Sequence, residues 1–311
     1  MNKVLILAIL QLPNYGRTKA LSIINYIKRE CITIKSSSEL TEIINKCIKL
    51  NILKERKPIS KEQVIRAEQI ARKLISDSEN QNIKITTILD DDFPVNLKNI
   101  CDEKGKDVSP VVLWYKGNLC CVTEKPSIAI IGTRKPTDEG TIASSSLSVY
   151  FAQKGFNIIS GLALGCDKKA HEGALSVTNG CTTAILAHGL DTIYPTEHAK
   201  LAEKILKNNG LLLSEYPIGT KCLPYNLVDR DRLQSCLSKA CIIIQTSKDG
   251  GTMHAVKSAL SNHKYLYAVK YKDIDVMNSS NVIGNKLLIE NKLALPIISS
   301  SLPSICNFLQ S

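Results

Sequence analysis

IAIIGTRKPTDEG, residues 128–140, and NIISGLALGCDKKAH, residues 157–171, set the architecture of this 311-residue chain. Each opens with a short apolar, largely β-branched run that ends at a glycine, the pattern of a strand buried on both faces of a parallel sheet. Gly132 lets the backbone turn sharply and leaves room for a ligand. Arg134 then falls at the C-terminal edge of the strand, where open α/β sheets bind their ligands. In the second stretch Ser160-Gly161 repeats the turn, with Asp167 and His171 on the helix that follows. Two strand-turn-helix units in tandem point to one phosphate-sized site. The competing reading is that the glycines only permit tight turns, because one short motif is weak evidence.

Downstream, the pattern predicts strands at 182–187, 211–214, 241–246, 265–269 and 293–298. Helices are predicted at 197–207, 229–238 and 284–291, with one opened by Gly250-Gly251-Thr252 and another at the C-terminal end. Strands alternating with helices imply a mainly parallel sheet covered on both faces, joined by right-handed crossovers. Upstream, 83–89 and 111–115 read as strands, and Trp114 reads as core rather than as a base-stacking side chain. Asp90, Asp91 and Asp92 read as a solvated turn, since consecutive side chains diverge too far to share a metal. The first quarter reads as helices at 4–10, 17–29, 38–50 and 60–76, with Ser37 or Ser38 as an N-cap and Pro58 as a break. The turn from Leu12 to Ala20 resembles half of a helix-hairpin-helix, in which backbone N–H groups and nearby Lys or Arg meet a DNA phosphate. Asn14 stands where that motif has a second glycine, so a plain helical turn is the other reading.

Charge divides the chain at the same place. Residues 1–78 hold 15 Lys+Arg against 7 Asp+Glu, and the remainder 25 against 22, within a net charge of +11. A basic domain is a footprint for polyanions, or else a lysine-rich solvated surface. The expected division is therefore a helical domain over 1–78 and an α/β domain over 79–311, with its core at about 126–298. The 11 cysteines are odd in number and form no C-x-x-C pair, which fits a reducing, cytoplasmic setting rather than a disulfide framework or zinc site. No apolar run reaches membrane-spanning length, and the apolar opening stops at Pro13 without a cleavage site.

Gly132-Thr133-Arg134, Ser160-Gly161-Leu162-Ala163 and Gly165-Cys166-Asp167 with Ala170-His171 resemble the DprA (DNA-processing protein A, or Smf) family. Its motifs run Gly-Ser/Thr-Arg and Ser-Gly-x-Ala-x-Gly-Ile-Asp-x-x-Ala-His. The segment from Asp229 through Arg230, Asp231 and Arg232 to Ser238 is similar to the family's Arg-Asn-Arg-Ile-x-x-Gly-Leu-Ser. The resemblance covers about residues 83–298. It implies an extended Rossmann-like sheet with a small N-terminal helical domain of the SAM or helix-hairpin-helix kind. It also implies a protein that binds single-stranded DNA, protects incoming DNA and loads a RecA-type recombinase in natural transformation, often as a homodimer. No catalytic residue, metal or cofactor is expected.

The candidate DNA- or phosphate-binding set is Gly132, Thr133, Arg134, Ser160, Gly161, Lys168, Arg230, Arg232, Gly250, Gly251 and Thr252. Arginine suits phosphate because its planar fork donates two hydrogen bonds at once. Arg230 and Arg232 lie about 200° apart on a helix. One is therefore expected to reach the ligand and the other to hold a neighbouring carboxylate. Tyr194, Tyr216 and Tyr225 fall in loops near the site. Asp167 is expected as an N-cap, with His171 packed beneath it.

The sequence departs from the family pattern at several positions. Asp231 replaces the family's Asn, Leu227-Val228 its Phe-Pro, and Gly250-Gly251-Thr252 its Ser-Gly-Ser. The last form is also similar to the nucleotide-processing LOG proteins, whose Gly-Gly-x-Gly-Thr precedes a catalytic Glu. Here Met253, His254, Ala255 and Val256 follow instead. A nucleotide sensor or a LOG-like enzyme is the alternative function.

Overall fold

A computed structural model describes residues 1–55 and 57–310. Four helices come first: α1 (Lys3–Gln11), α2 (Arg17–Arg29), α3 (Ser37–Lys49) and α4 (Lys61–Glu79). The N-cap of α3 is Ser36, whose hydroxyl accepts from Glu39 N, rather than Ser37 or Ser38. β1 (Lys84–Thr87) is shorter than its alternation predicts, because the Asp90 carboxylate accepts from Thr87 N at 2.8 Å and turns the chain. β2 (Val112–Gly117), α5 (Cys120–Thr123) and β3 (Ser127–Ile131) follow. The repeating part then runs through α6 (Asp138–Gln153), β4 (Asn157–Ser160), α7 (Cys166–Leu175), β5 (Cys181–Leu186), α8 (Ala199–Lys207) and β6 (Leu211–Ser214). It continues with α9 (Pro224–Leu237), β7 (Ala240–Ile243), α10 (Thr252–Ser261), β8 (Tyr265–Val269), α11 (Ile274–Asn278), α12 (Ile283–Glu290), β9 (Leu295–Ile297) and α13 (Leu302–Gln310). α9 starts five residues before the expected Asp229. Pro224 at its first turn is the signal, since a proline there forfeits no helical hydrogen bond.

The strands form one sheet in the order β1-β2-β6-β5-β4-β3-β7-β8-β9. β1 with β2 and β2 with β6 are antiparallel, and every other pairing is parallel. From β3 the chain winds one way through β4, β5 and β6, then returns to the other side of β3 for β7, β8 and β9. The C-terminal ends of β3 and β7 are therefore the switch point, where connections leave in opposite directions and open a crevice.

The alternation within β3 shows why its residues are apolar without a break. Ile128 and Ile130 pack on one face with Phe151 of α6, Ala170 and Ala174 of α7 and Leu309 of α13. Ala129 and Ile131 pack on the other with Leu233 and Leu237 of α9 and Val256 of α10. Trp114 is buried in β2, as its sequence context predicts. The core of the N-terminal helices, including Leu5, Ile9, Ile24, Ile44 and Val64, runs continuously into β1, β2, β5 and β6. Among the described residues, no helix is long and apolar enough to cross a membrane.

Candidate nucleic-acid site

The crevice at the switch point has a volume of about 750 Å³, and the turns after β3 and β7, the loop before α7 and the inner face of α9 line it. Its first wall is Gly132-Thr133-Arg134. A Cβ on Gly132 would lie 2.6 Å from Cys166 Sγ, so only glycine lets α7 start against the strand end. Thr133 N donates to Gln245 O at 2.9 Å, and Cys166 N donates to Thr133 O at 3.2 Å. These bonds tie the turn to the end of β7 and the start of α7 and present Arg134 at the rim. Arg134 is exposed and has no carboxylate partner among the described residues. Lys135 stands beside it. Gly250, Gly251 and Thr252 form the opposite wall, where α10 begins without a side-chain cap.

The other glycine turn works differently. Gly161 N donates to Asp167 Oδ2 at 3.0 Å, and Ala163 N shares that oxygen at 3.4 Å. Asp167 is thus not the N-cap of α7, a position held by Gly165. It braces the loop, and it takes up the Gly161 N–H that a ligand would otherwise use. The missing Cβ of Gly161 is what matters, because an added Cβ would lie 1.5 Å from Arg230 Nη1. Gly161 is a seat for the Arg230 guanidinium.

Ser160 is buried, and its hydroxyl donates to Ile130 O at 2.7 Å, which joins β4 to β3 and keeps it out of the crevice. Lys168 lies outside the crevice lining, with Nζ 3.9 Å from Glu172. His171 is core, as expected, with Nδ1 2.7 Å from the Thr182 hydroxyl. Burial first, then His198 and Arg230, lower its pKa to about 3.

α9 separates its two arginines as the helical period requires. Arg230 lines the crevice and is 4% exposed. Its Nε lies 3.5 Å from Asp231 Oδ1, and neither Nε nor Nη1 has a hydrogen-bond partner among the described residues. Arg232 points the other way and does not reach the crevice. It donates to Val108 O at 2.9 Å and Asp229 O at 2.7 Å, and it pairs with Glu215. Arg17, at the start of α2, closes this network, with 3.0 Å bonds to both Asp229 oxygens and 3.2 Å to Glu215 Oε2. Lys19 is also engaged, by Glu55 and Asn14 O. The basic residues of the N-terminal hairpin are therefore spent inside the protein, which favours the plain helical turn. Arg17 belongs to a structural tie that crosses 212 residues of sequence.

Several lining residues lay outside the expected set: Lys135, Asp231, Gln234, His254 and Asn281. Lys135 is contiguous with Arg134, and Gln234 is one turn beyond Arg230 on α9, so helical spacing held that signal. Asn281 precedes α12 and carries no local signal. Tyr194 lines the crevice, whereas Tyr216 is held back by Asp229 at 3.4 Å. Burial raises the Asp231 carboxyl to about 7, opposed by Arg230 and reinforced by the neighbouring Asp167. Burial also raises Asp167, again against the pull of Arg230.

Protein Smf of Synechocystis sp. is 36% identical over 188 residues, 60% of this chain and 45% of that protein. DNA processing protein DprA of Bacillus subtilis is 33% identical over 189 residues, 61% of each chain. The matches thus span less than two thirds of either relative. DNA processing protein A of Streptococcus pneumoniae has the same fold, with a TM-score of 0.74 over 96% of this chain and 94% of its own at 23% identity. DNA processing protein A of Helicobacter pylori, described for its unique single-stranded DNA binding mode, gives a TM-score of 0.62 at 29% identity, over 73% of this chain and 96% of its own. The model of the DNA recombination-mediator protein A family matches residues 84–309, well over half of the chain and all of the crevice, and the chain belongs to that family.

Proposed function

We propose that this protein binds single-stranded DNA along the switch-point crevice and acts in DNA processing as a recombination mediator. The observation that carries this reading is exposed Arg134 at a β-strand end, without a carboxylate partner among the described residues, facing the start of α10, which has no side-chain cap, across an open crevice. A guanidinium without a carboxylate, next to a helix N-terminus, is an arrangement for phosphate. The likeness to the Helicobacter pylori protein supports single strands as the form bound. Protection of the strand and its transfer to a RecA-type recombinase follow as the finer reading, in a reducing cytoplasmic setting that suits eleven free thiols.

A homodimer is part of the same reading. Among the described residues β9 pairs only with β8, and Leu293, Leu295 and Ile298, in and beside this strand, are exposed. Exposed apolar side chains grouped along one stretch mark an interaction surface, and a second copy is the occupant proposed here.

The test is a titration of single-stranded, double-stranded and mononucleotide ligands at increasing salt. Single strands should bind tightest, with affinity falling steeply as counterion release is suppressed. Flat salt dependence would remove the phosphate reading. Tight binding and hydrolysis of a mononucleotide alone would favour the LOG-like alternative, which a crevice of nucleotide size also accommodates.

A further inference from the structure

The crevice is electrically lopsided. Arg134 and Lys135 stand at the rim, while Asp231 and Gln234 line the floor beside Arg230. Asp231 Oδ1 accepts from Gln234 Nε2 at 2.9 Å, and its Oδ2 takes no hydrogen bond among the described residues. Gln234 Oε1, Arg230 Nε and Arg230 Nη1 are likewise without partners, although Gln234 is 1% and Arg230 4% exposed. Buried polar groups are nearly always hydrogen-bonded. A carboxylate also repels phosphate. This corner is therefore arranged for a ligand edge that carries N–H donors next to an acceptor. The requirement follows from the aspartate at 231, which only accepts when ionised, whereas an asparagine there would both donate and accept.

We propose that Arg230 and Asp231 form a base-reading pocket that selects guanine in the bound strand, an inference that rests on the single-stranded DNA reading above. The Watson–Crick edge of guanine presents an acceptor, O6, then two donors, N1–H and the N2 amino group. A guanidinium beside a carboxylate presents a donor followed by two acceptors, the complementary row. Thymine would set its second carbonyl against the carboxylate. Cytosine would set its amino group against the guanidinium and two acceptors against the carboxylate. Adenine has a single donor to offer. Each mismatch leaves a buried group unpaired, which sites of this kind reject strongly. Phosphate at the rim and base at the floor also accounts for the division of charge between them.

The experiment is fluorescence anisotropy at mildly alkaline pH, where Asp231 is ionised. The probes are oligothymidylate strands whose central residue is thymidine, deoxyguanosine, deoxyadenosine or deoxycytidine. The deoxyguanosine strand should bind at least about fivefold tighter than the other three, the low end of discrimination by a paired base contact. In Asp231→Asn the ratio should fall to near one. Equal affinity for all four strands in the parent protein, or a guanine preference that survives in Asp231→Asn, overturns the proposal while leaving single-stranded binding intact. Failure of every strand to bind overturns the single-stranded reading together with this inference.

Discussion

Replacing Arg134 by alanine separates binding from folding more cleanly than any other change in the crevice. The turn that carries it is held by the Thr133 N to Gln245 O and Cys166 N to Thr133 O bonds, which are backbone contacts the substitution leaves alone. The side chain is exposed and has no carboxylate to lose among the described residues. Unfolding free energy should therefore change by less than about 0.5 kcal/mol, as for surface positions generally. Binding should change far more. Hydrogen bonds to a charged group contribute about 1.5–3 kcal/mol, equivalent to roughly 10- to 150-fold in Kd. The slope of log affinity against log salt should shrink by about one, as one phosphate contact is removed. Arg134→Lys should recover only part of the loss, because it restores the charge without the two-pronged fork. Anisotropy with labelled single strands over a salt series, paired with thermal melts, reads all three quantities. An Arg134→Ala protein that melts many degrees lower yet binds normally would refute the reasoning, since the arginine would then be a structural tie.

The remaining residues yield sharply different expectations. Arg232→Ala should destabilise the fold by about 3–5 kcal/mol, measured by urea melts, because it strips a buried guanidinium from Glu215 and two backbone carbonyls; a loss under about 1 kcal/mol would contradict the network described. Gly161→Ala should weaken single-strand binding as much as Arg230→Ala, since its Cβ would occupy the Arg230 Nη1 position, and the double substitution should add little more. Asp231 titrates at about 7 when folded, against an ordinary 3.8, so between these values the folded state holds more protons and stability falls as pH rises. Asp231→Asn removes that loss and should stabilise the protein by about 1–4 kcal/mol in mildly alkaline buffer, with the gain fading as pH falls from about 7 to the ordinary carboxylate value of 3.8; a gain independent of pH would count against the buried carboxylate.

Local pattern alone determined much of this molecule. The 17–29 helix and the strands at 211–214 and 265–269 follow from apolar spacing at the predicted bounds. The strand-turn-helix units around Gly132 and Gly161 were legible because a buried parallel strand must be apolar on both faces and must end in a residue that permits a turn. The opposed directions of Arg230 and Arg232 were legible too, since two helical residues two apart cannot face the same way. Sequence could not say which of the two meets the crevice. That depends on Glu215 and Arg17 gathering around Arg232, partners 17 and more than 200 residues away. Nor could it show that the Ser160 hydroxyl is consumed by Ile130 O or that Asp167 takes the Gly161 N–H, because each assignment needs strand order and loop geometry. Periodicity along a chain reports which face of an element is buried. Only the packed sheet, with β3 between β4 and β7, decides which donors are spent inside and which remain for a ligand.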